Sequence, residues 1–201
     1  MASRMTGTGL LVVISSPSGG GKSTVIRSLR KRHPEFLFSV SVTTRTRRRG
    51  ERSGTHYQFL SPDQFKHLRS QRRLAEWAEV HGQFYGTPRA NLERAWKAKR
   101  VMLFDLDVQG AANLQRTEPS VVTIFLQPPS MAVLRKRLWG RGSEGPTERK
   151  RRLENAKKEM THRGAYDYLV TNDRLTRCVA DCEAIIRAEI LRQRKDGKHR
   201  S

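Results

Sequence analysis

A glycine-rich segment near the beginning of the chain has residues suited to binding a polyphosphate. Residues 16–24 read Ser-Pro-Ser-Gly-Gly-Gly-Lys-Ser-Thr, between an apolar β-branched run over 9–15 and helical spacing over 23–31. When a strand, a loop and a helix follow one another in this order, the N–H groups of the loop and the helix N-terminus point at phosphate oxygens. We therefore predict that Lys22 places its charge near the terminal phosphates and that the Ser23 hydroxyl is a ligand of Mg²⁺.

The loop departs from the strict pattern G-x-x-x-x-G-K-[ST] at one position. Ser16 stands where that pattern has glycine. A small residue is tolerated there when the backbone angles are ordinary, because only a left-handed conformation demands glycine. The departure therefore leaves the prediction of a phosphate-binding loop unchanged.

A second candidate site is an arginine-rich segment that also contains glycines and a tyrosine. Arg45 and Arg48 are three residues apart, so within one turn their guanidinium groups can converge on a single dianion. The Tyr57 hydroxyl adds a donor, and a phosphate monoester fits this set. Taken alone, the same arginines also suit a solvated surface or a surface that faces nucleic acid.

Two aspartates end an apolar run and form a third candidate group. Asp105 and Asp107 are two residues apart at the end of the run Val101–Asp105, so both side chains point to one face of the predicted strand. That face is at the strand end, where phosphates and a second ligand would meet.

The overall composition is that of one α/β domain with a small insertion. The 201 residues carry 40 Lys and Arg against 19 Asp and Glu, a formal net charge of +21. Phosphorylated substrates need only a few of these cations. The remainder indicates a solvated basic surface or weak, salt-sensitive binding to nucleic acid and other polyanions.

The cysteines and the N-terminus point to an intracellular protein without a metal site. Cys178 and Cys182 are four residues apart in the last predicted helix, in line with its apolar positions, so we predict half-buried core thiols. The six histidines have no zinc-site spacing. No apolar signal core or membrane span is present, and we expect a cytoplasmic location.

Strands and helices alternate along most of the chain. Apolar strands over 9–15, 36–42, 101–105, 121–126 and 168–171, separated by helices, predict a parallel sheet covered on both faces. The pattern of predicted secondary structure changes between 39 and 98. Short strands, a hairpin and a capped helix that begins at Ser61 predict a small mixed insertion there.

The pattern T-T-R-x-x-R-x-x-E-x-x-G-x-x-Y-x-F over 43–59 resembles the signature of guanylate kinases at every fixed position. Similarity extends through 74–78, 82–87, 105–110, 137–142 and 171–173, and covers the chain from about 9 to 192. The resemblance implies a three-layer α/β/α P-loop fold with a central parallel sheet. It also implies a core of 1–38, 99–140 and 164–201, a GMP-binding insertion of 39–98 and a short lid of 141–163.

The resemblance also assigns roles to individual residues. The GMP-binding residues would be Ser41, Arg45, Arg48, Tyr57, Glu76, Tyr85, Thr87 and Asp107. ATP would contact Ser16, Pro17, Ser18, Gly19, Gly20, Gly21, Lys22, Ser23, Thr24, Arg137 and Asn172. The catalytic residues would be Lys22, Arg45, Arg48, Asp105, Arg141 and Arg152, with Mg²⁺ bound through Ser23 and the ATP phosphates.

Guanine chemistry supports the assignment of Glu76. Guanine presents N1–H and N2–H₂ as adjacent donors, and one carboxylate can accept both. Adenine presents an acceptor at N1, which would leave that carboxylate unsatisfied. An ordinary strand carboxylate is the alternative interpretation of Glu76.

The expected reaction is transfer of phosphate from ATP to GMP, with Mg²⁺ as the cofactor. Three alternatives remain: a guanylate-kinase-like module that binds protein partners, a related P-loop kinase acting on a ribose phosphate, and a nucleic-acid-binding protein. Retention of Gly21, Lys22 and Ser23 argues against the first, because interaction modules of this kind typically lose the phosphate loop. We expect a monomer or a homodimer.

Overall fold

A computed structural model of the protein describes residues 9–80, 82–139 and 145–198. In chain order the strands are β1 (Leu11–Ser15), β2 (Leu37–Ser39), β3 (Val42–Thr43), β4 (Gln58–Phe59), β5 (Leu74–Val80), β6 (Gln83–Pro88), β7 (Met102–Asp105), β8 (Val122–Gln127) and β9 (Tyr168–Thr171). The helices are α1 (Lys22–Arg32), α2 (Pro62–Ser70), α3 (Arg89–Ala98), α4 (Val108–Thr117), α5 (Met131–Trp139), α6 (Pro146–Thr161) and α7 (Leu175–Lys198). A short 3₁₀ helix, His162–Ala165, follows α6.

Five strands form a parallel sheet in the order β2-β7-β1-β8-β9. Val12 in β1 pairs with Leu103 of β7 on one side and with Val122 of β8 on the other, so β1 is central. All five strands therefore end at the same edge, which is where parallel α/β sheets carry their ligands.

Both faces of this sheet are buried, as the apolar strands predict. On one face Val12 and Ile14 pack against α1 and α7, and on the other Leu11 and Val13 pack against α3 and α4. Alternation along β1 sends successive side chains to opposite faces. The predicted α/β class with helices on both faces of a parallel sheet is confirmed.

The last helix contributes both cysteines to the first of these cores. Cys178 and Cys182 are buried free thiols, four residues apart on α7. Spacing of i and i+4 puts them on one helix face, which explains their common burial. The prediction of core thiols is confirmed, but both side chains are fully buried and not half-buried as predicted.

A second sheet is mixed and has the order β4-β3-β6-β5. Its small core contains Val42, Phe65 and Leu74, with Phe84 stacked on Phe65 at 5.3 Å between ring centroids. The capping box at the start of α2 is present. Ser61 Oγ accepts from the Gln64 backbone amide, and Gln64 Oε1 accepts from the Ser61 backbone amide. This sheet lies within the predicted insertion.

Two details differ from the sequence prediction. The single extended segment over 36–42 is two strands, because β2 pairs with β7 in the main sheet while β3 pairs with β6 in the second. The chain therefore crosses between sheets here. α3 lies inside the predicted insertion of 39–98, yet its Leu92 and Ala95 pack into the core of the main sheet. The division of the chain into core, insertion and lid stays a prediction.

Among helices of the described ranges, none combines the length and the apolarity that crossing a membrane requires.

Candidate active site

The phosphate loop joins β1 to α1 at the edge where the parallel strands end. Gly21 precedes the helix with φ of 91°, and no side chain caps the helix N-terminus. The Asn172 side chain, which is buried, donates from Nδ2 to the Gly20 carbonyl at 2.8 Å. Within the described part of the chain, no side chain accepts from the amides of Lys22 and Ser23, and these can receive an anion.

Lys22 reaches the end of β7, where two acceptors hold its ammonium. Lys22 Nζ lies 2.8 Å from Asp105 Oδ1 and donates to the Leu106 carbonyl at 2.6 Å. Burial opposes the charged form, but the charge and hydrogen bond of Asp105, with help from Asp107, outweigh it and raise the pKa of Lys22. The lysine therefore carries a full positive charge beside the loop.

The residues of the loop suit Mg²⁺ bound with a nucleotide. Ser23 is exposed in the first turn of α1, which carries no acidic residue. No group of three His, Cys, Asp or Glu side chains able to hold a metal occurs within 9–80, 82–139 or 145–198. Mg²⁺ in phosphoryl-transfer sites is held largely by substrate phosphates, one or two protein oxygens and waters, so one hydroxyl with Asp105 nearby fits it.

A pair of charges organises the arginine-rich segment. Arg45 donates to both carboxylate oxygens of Glu51, at 2.8 Å and 3.1 Å, and the Arg48 amide donates to the same carboxylate at 2.8 Å. The hydrogen bond to Glu51, and then its charge, raise the pKa of Arg45 against the effect of burial. Glu51 thus holds Arg45 in place, while Arg48 stays exposed.

Two tyrosines stand beside Arg45. The Tyr57 and Tyr85 rings meet edge to face at 6.0 Å, and the Arg45 guanidinium carbon lies 5.6 Å from the Tyr57 ring centroid. Burial, and after it the charge of Asp105, raises the pKa of Tyr57, whereas Lys22 lowers it. The second sheet therefore places Tyr57 within electrostatic reach of the Lys22–Asp105 pair.

Glu76 is a buried carboxyl with one neutral partner. Its residue is 6% exposed, and its Oε1 accepts from the Thr87 hydroxyl at 2.6 Å across the β5–β6 pair. Burial raises its pKa to about 7, with a smaller contribution from the charge of Asp107 and an opposing one from Thr87. A buried acid with its second oxygen unused by Thr87 can accept from a ligand.

Ser41 and Asp107 are the other residues predicted to surround the base, and Asp107 lies near this carboxyl. Ser41 is buried between β2 and β3. Asp107 caps α4, accepting from the Gly110 amide at 2.8 Å. Glu76 Oε2 lies 3.6 Å from the position that a Cβ on Gly110 would take. The start of α4 and the carboxyl of β5 therefore border the same space.

α6, which lies within the predicted lid of 141–163, contacts the phosphate loop. Arg152 Nη2 donates to the Ser18 hydroxyl at 3.1 Å, and Glu159 Oε2 accepts from the Ser18 amide at 2.8 Å. Arg137 Nη2 donates to the Asn172 carbonyl at 2.8 Å, while its buried Nη1 has no hydrogen-bond partner in the described part of the chain. Arg141, a predicted catalytic residue, lies outside the described residues.

Comparisons with known proteins agree with this geometry. The family model described as guanylate kinase matches residues 8–189. The chain belongs to the guanylate kinase family.

Individual relatives support the same membership. Guanylate kinases of Agrobacterium fabrum and Rhizobium meliloti are 48% and 50% identical to the chain, over 95% and 92% of its length and 86% and 85% of theirs. The crystal structure of guanylate kinase from Anaplasma phagocytophilum is 36% identical and matches with a TM-score of 0.74, over 91% of this chain and 87% of that one. As a member of the guanylate kinase family, the chain is a nucleotide-binding kinase.

Two acidic residues beside the guanylate kinase site were missed by the sequence analysis as site residues. Glu51 is a fixed position of the family signature, six residues after Arg45, and that fixed position could have indicated its ion pair with Arg45. Glu159 had no such signal, because it lies 141 residues from Ser18 in a helix crowded with charges. Only the fold brings it to the phosphate loop.

Proposed function

We propose that the protein transfers the γ-phosphoryl group of ATP to the phosphate of GMP, giving ADP and GDP, in purine nucleotide metabolism. The observation that carries this proposal is the position of Asp107. Asp107 follows Leu106, whose carbonyl accepts from Lys22 at 2.6 Å, and it caps α4 at Gly110, where an added Cβ would lie 3.6 Å from Glu76 Oε2. The buried carboxyl of the second sheet and the lysine of the phosphate loop are therefore close to the same residue. A kinase that joins these two nucleotides needs that adjacency.

On the donor side, the loop holds the ATP phosphates. Backbone amides of 16–24 and the N-terminus of α1 bind phosphate oxygens, and Lys22 neutralises the charge that develops between the β- and γ-phosphates. Asn172 keeps the loop in shape through Gly20. Arg137 and Asn172, which are joined by a hydrogen bond from Arg137 Nη2 to the Asn172 carbonyl, border the adenine.

On the acceptor side, the phosphate of GMP is bound by Arg45, Arg48, Tyr57 and Tyr85. Glu51 fixes the plane of the Arg45 guanidinium, so less side-chain freedom is lost when the phosphate binds. Glu76 accepts from guanine N1–H and N2–H₂, and Ser41, Thr87 and Asp107 complete the base site. Tyr57 places the acceptor phosphate towards Lys22.

Mg²⁺, held by the Ser23 hydroxyl and the ATP phosphates, would neutralise phosphate charge and orient the γ-phosphate. Asp105 holds the Lys22 ammonium and lies where it can order water around that ion. Closure of the lid arginines, Arg141 and Arg152, excludes water from the γ-phosphate and stabilises the charge of the transition state.

Other features of the protein are part of the same proposal. We infer a cytoplasmic monomer or homodimer whose surplus positive charge binds polyanions weakly.

One assay separates the proposal from its alternatives. ADP formation is measured with Mg²⁺ and ATP while GMP, AMP, UMP, CMP and ribose phosphates are offered separately. We expect a strong response to GMP alone. A response to a ribose phosphate would favour a different P-loop kinase, and no response to any acceptor would favour a protein-interaction module.

A further inference from the structure

The Ser18 residue of the phosphate loop is contacted from α6 on two sides. Glu159 Oε2 accepts from its amide at 2.8 Å, and Arg152 Nη2 donates to its hydroxyl at 3.1 Å. Both side chains come from α6, about two helical turns apart. Both halves of this helix therefore contact the phosphate loop at Ser18.

The contact from Glu159 is chemically unusual for such a loop. A loop built to present amides to phosphate here gives one of them to a carboxylate, whose oxygens resemble phosphate oxygens in charge and hydrogen bonding. Glu159 is half-buried, and burial raises its pKa, while the Ser18 amide lowers it. The charges of Asp107, Lys22 and Arg152 also act on it, so the carboxyl lies in the phosphate region.

A triphosphate arriving in the loop would meet this carboxylate. Both are anions in a region of low dielectric, where like charges repel strongly. The amide of Ser18 also cannot make a full hydrogen bond to both. The carboxylate therefore stabilises the empty loop at the expense of the occupied one.

We propose that Glu159 is a stand-in anion: it takes the Ser18 amide while the loop is empty, and the triphosphate of ATP displaces it and frees the end of α6. Glu159 is thus a positioning residue that couples donor binding to the lid helix. The inference rests on the proposed function, because it requires that ATP binds this loop.

The coupling has a measurable consequence for affinity. When a fraction of the molecules must first release an internal contact, the apparent affinity for the ligand is reduced by the competent fraction. Removing the carboxylate should therefore tighten binding of a triphosphate. We expect a dissociation constant about fivefold lower. This value means that Glu159 is bound to the Ser18 amide in about four-fifths of the unmutated molecules when no nucleotide is present.

The experiment uses the full chain with Mg²⁺ and the β,γ-imido analogue of ATP, measured by titration calorimetry. Glu159→Gln removes the charge at constant size, and Glu159→Ala removes the acceptor as well. Glu154→Gln is the matched control, because Glu154 is on the same helix but is exposed and pairs with Lys157. We expect tighter binding in both Glu159 variants, a lower KM for ATP, an unchanged KM for GMP, and no effect of the control.

Hydrogen exchange on the unmutated chain tests whether the analogue displaces Glu159 from Ser18. This measurement does not depend on the folding of any variant. The analogue should increase amide exchange over 157–163, since it frees this segment from the loop. In Glu159→Ala, which lacks the acceptor, amide exchange over 157–163 should be high before the analogue is added. This response would not arise from a residue that only supports the fold.

Three results would overturn the inference. Weaker analogue binding together with a lower kcat in the Glu159 variants would mean that the carboxylate stays on Ser18 during turnover. Unchanged affinity, or lower exchange over 157–163 on binding, would mean that no displacement occurs. If the unmutated chain fails to bind the analogue, the proposed function fails as well, whereas normal binding with untightened variants refutes only the role of Glu159.

Discussion

Asp105 Oδ1 lies 2.8 Å from Lys22 Nζ, and this ion pair joins the end of β7 to the first residue of α1. Because β7 and β1 are neighbours in the parallel sheet, the pair connects the loop after one strand with the tip of the next. The lysine is thereby held, charged, at the point where a transferred phosphoryl group would pass.

Replacing this lysine should stop the reaction and leave the fold. For Lys22→Ala we expect kcat to fall by about two to three orders of magnitude, since one preorganised charge at the transition state is removed. Steady-state kinetics with circular dichroism measures this, and Lys31→Ala, at the exposed end of α1, is the control. Near-normal turnover with unchanged Mg²⁺ dependence would mean that the loop is not catalytic.

Glu76 should determine the affinity for guanine. In Glu76→Gln the amide must present a donor to one of two guanine donors, so we expect KM for GMP to rise about tenfold or more with little change in KM for ATP. Glu79→Gln, on the exposed side of the same strand, is the matched control. An unchanged KM for GMP would remove Glu76 from the base site.

The raised pKa of Glu76 predicts a pH-dependent stability. The folded carboxyl holds its proton up to about pH 7, against an ordinary value of 4.5, so the folded state binds more protons across this window. Stability from this group is present below pH 4.5 and is lost as pH rises to 7, by about 3 kcal/mol at most. Denaturant unfolding at several pH values should give a slope that Glu76→Gln removes; an identical slope in the variant contradicts it.

GMP binding should favour the ionised form of Glu76 over the protonated form. An ionised carboxylate accepts both guanine donors, whereas a protonated one has a donor of its own, so GMP binding should lower the pKa of Glu76. We expect GMP to bind more tightly at pH 8 than at pH 6, with proton release near pH 7. Calorimetry in buffers of different ionisation enthalpy measures that release, and none should occur in Glu76→Gln. Release undiminished in the variant would assign the proton to another group.

Gly21 should tolerate no side chain. Its φ is 91°, and an added Cβ would lie 2.5 Å from Asn172 Nδ2, a buried group that also holds Gly20. Left-handed strain and overpacking together suggest that Gly21→Ala loses about 2–4 kcal/mol of unfolding free energy. Gly82→Ala is the control, because its φ is 72° but nothing lies near an added Cβ, so strain alone remains. Equal losses in thermal denaturation would show that Asn172 moves aside.

The charge surplus should act on polyanions independently of the active site. Truncation after Arg194 removes Lys195, Lys198 and Arg200 with one acid, Asp196. Binding of labelled single- and double-stranded nucleic acid should weaken, and both forms should lose affinity steeply with salt through counterion release. GMP kinetics should stay nearly unchanged. No binding at low salt refutes polyanion binding, and a large loss of turnover would mean that the tail supports the catalytic domain.

Much of the fold could be predicted because its signals are local. The apolar runs, the glycine-rich loop and the Ser61 capping box each depend on residues close in sequence, which is why the parallel sheet, α1 and α2 were predicted. The segment over 36–42 was wrong as one strand, since local pattern cannot tell which sheet a short strand joins. α3 likewise packs on the main sheet through Leu92 and Ala95, a choice made by the partner surface.

For the site, the sequence by itself determined the residue types: a phosphate loop with its lysine, converging arginines, and a carboxyl for a base. Their spacing and the family signature are sufficient for that, because such chemistry depends on which groups are present. Only the tertiary structure decided that Asp105 pairs with Lys22, that Glu51 holds Arg45, and that Glu159 reaches Ser18. These contacts, and the raised pKa of Glu76, come from burial and from distances between remote segments, which no local pattern of residues specifies.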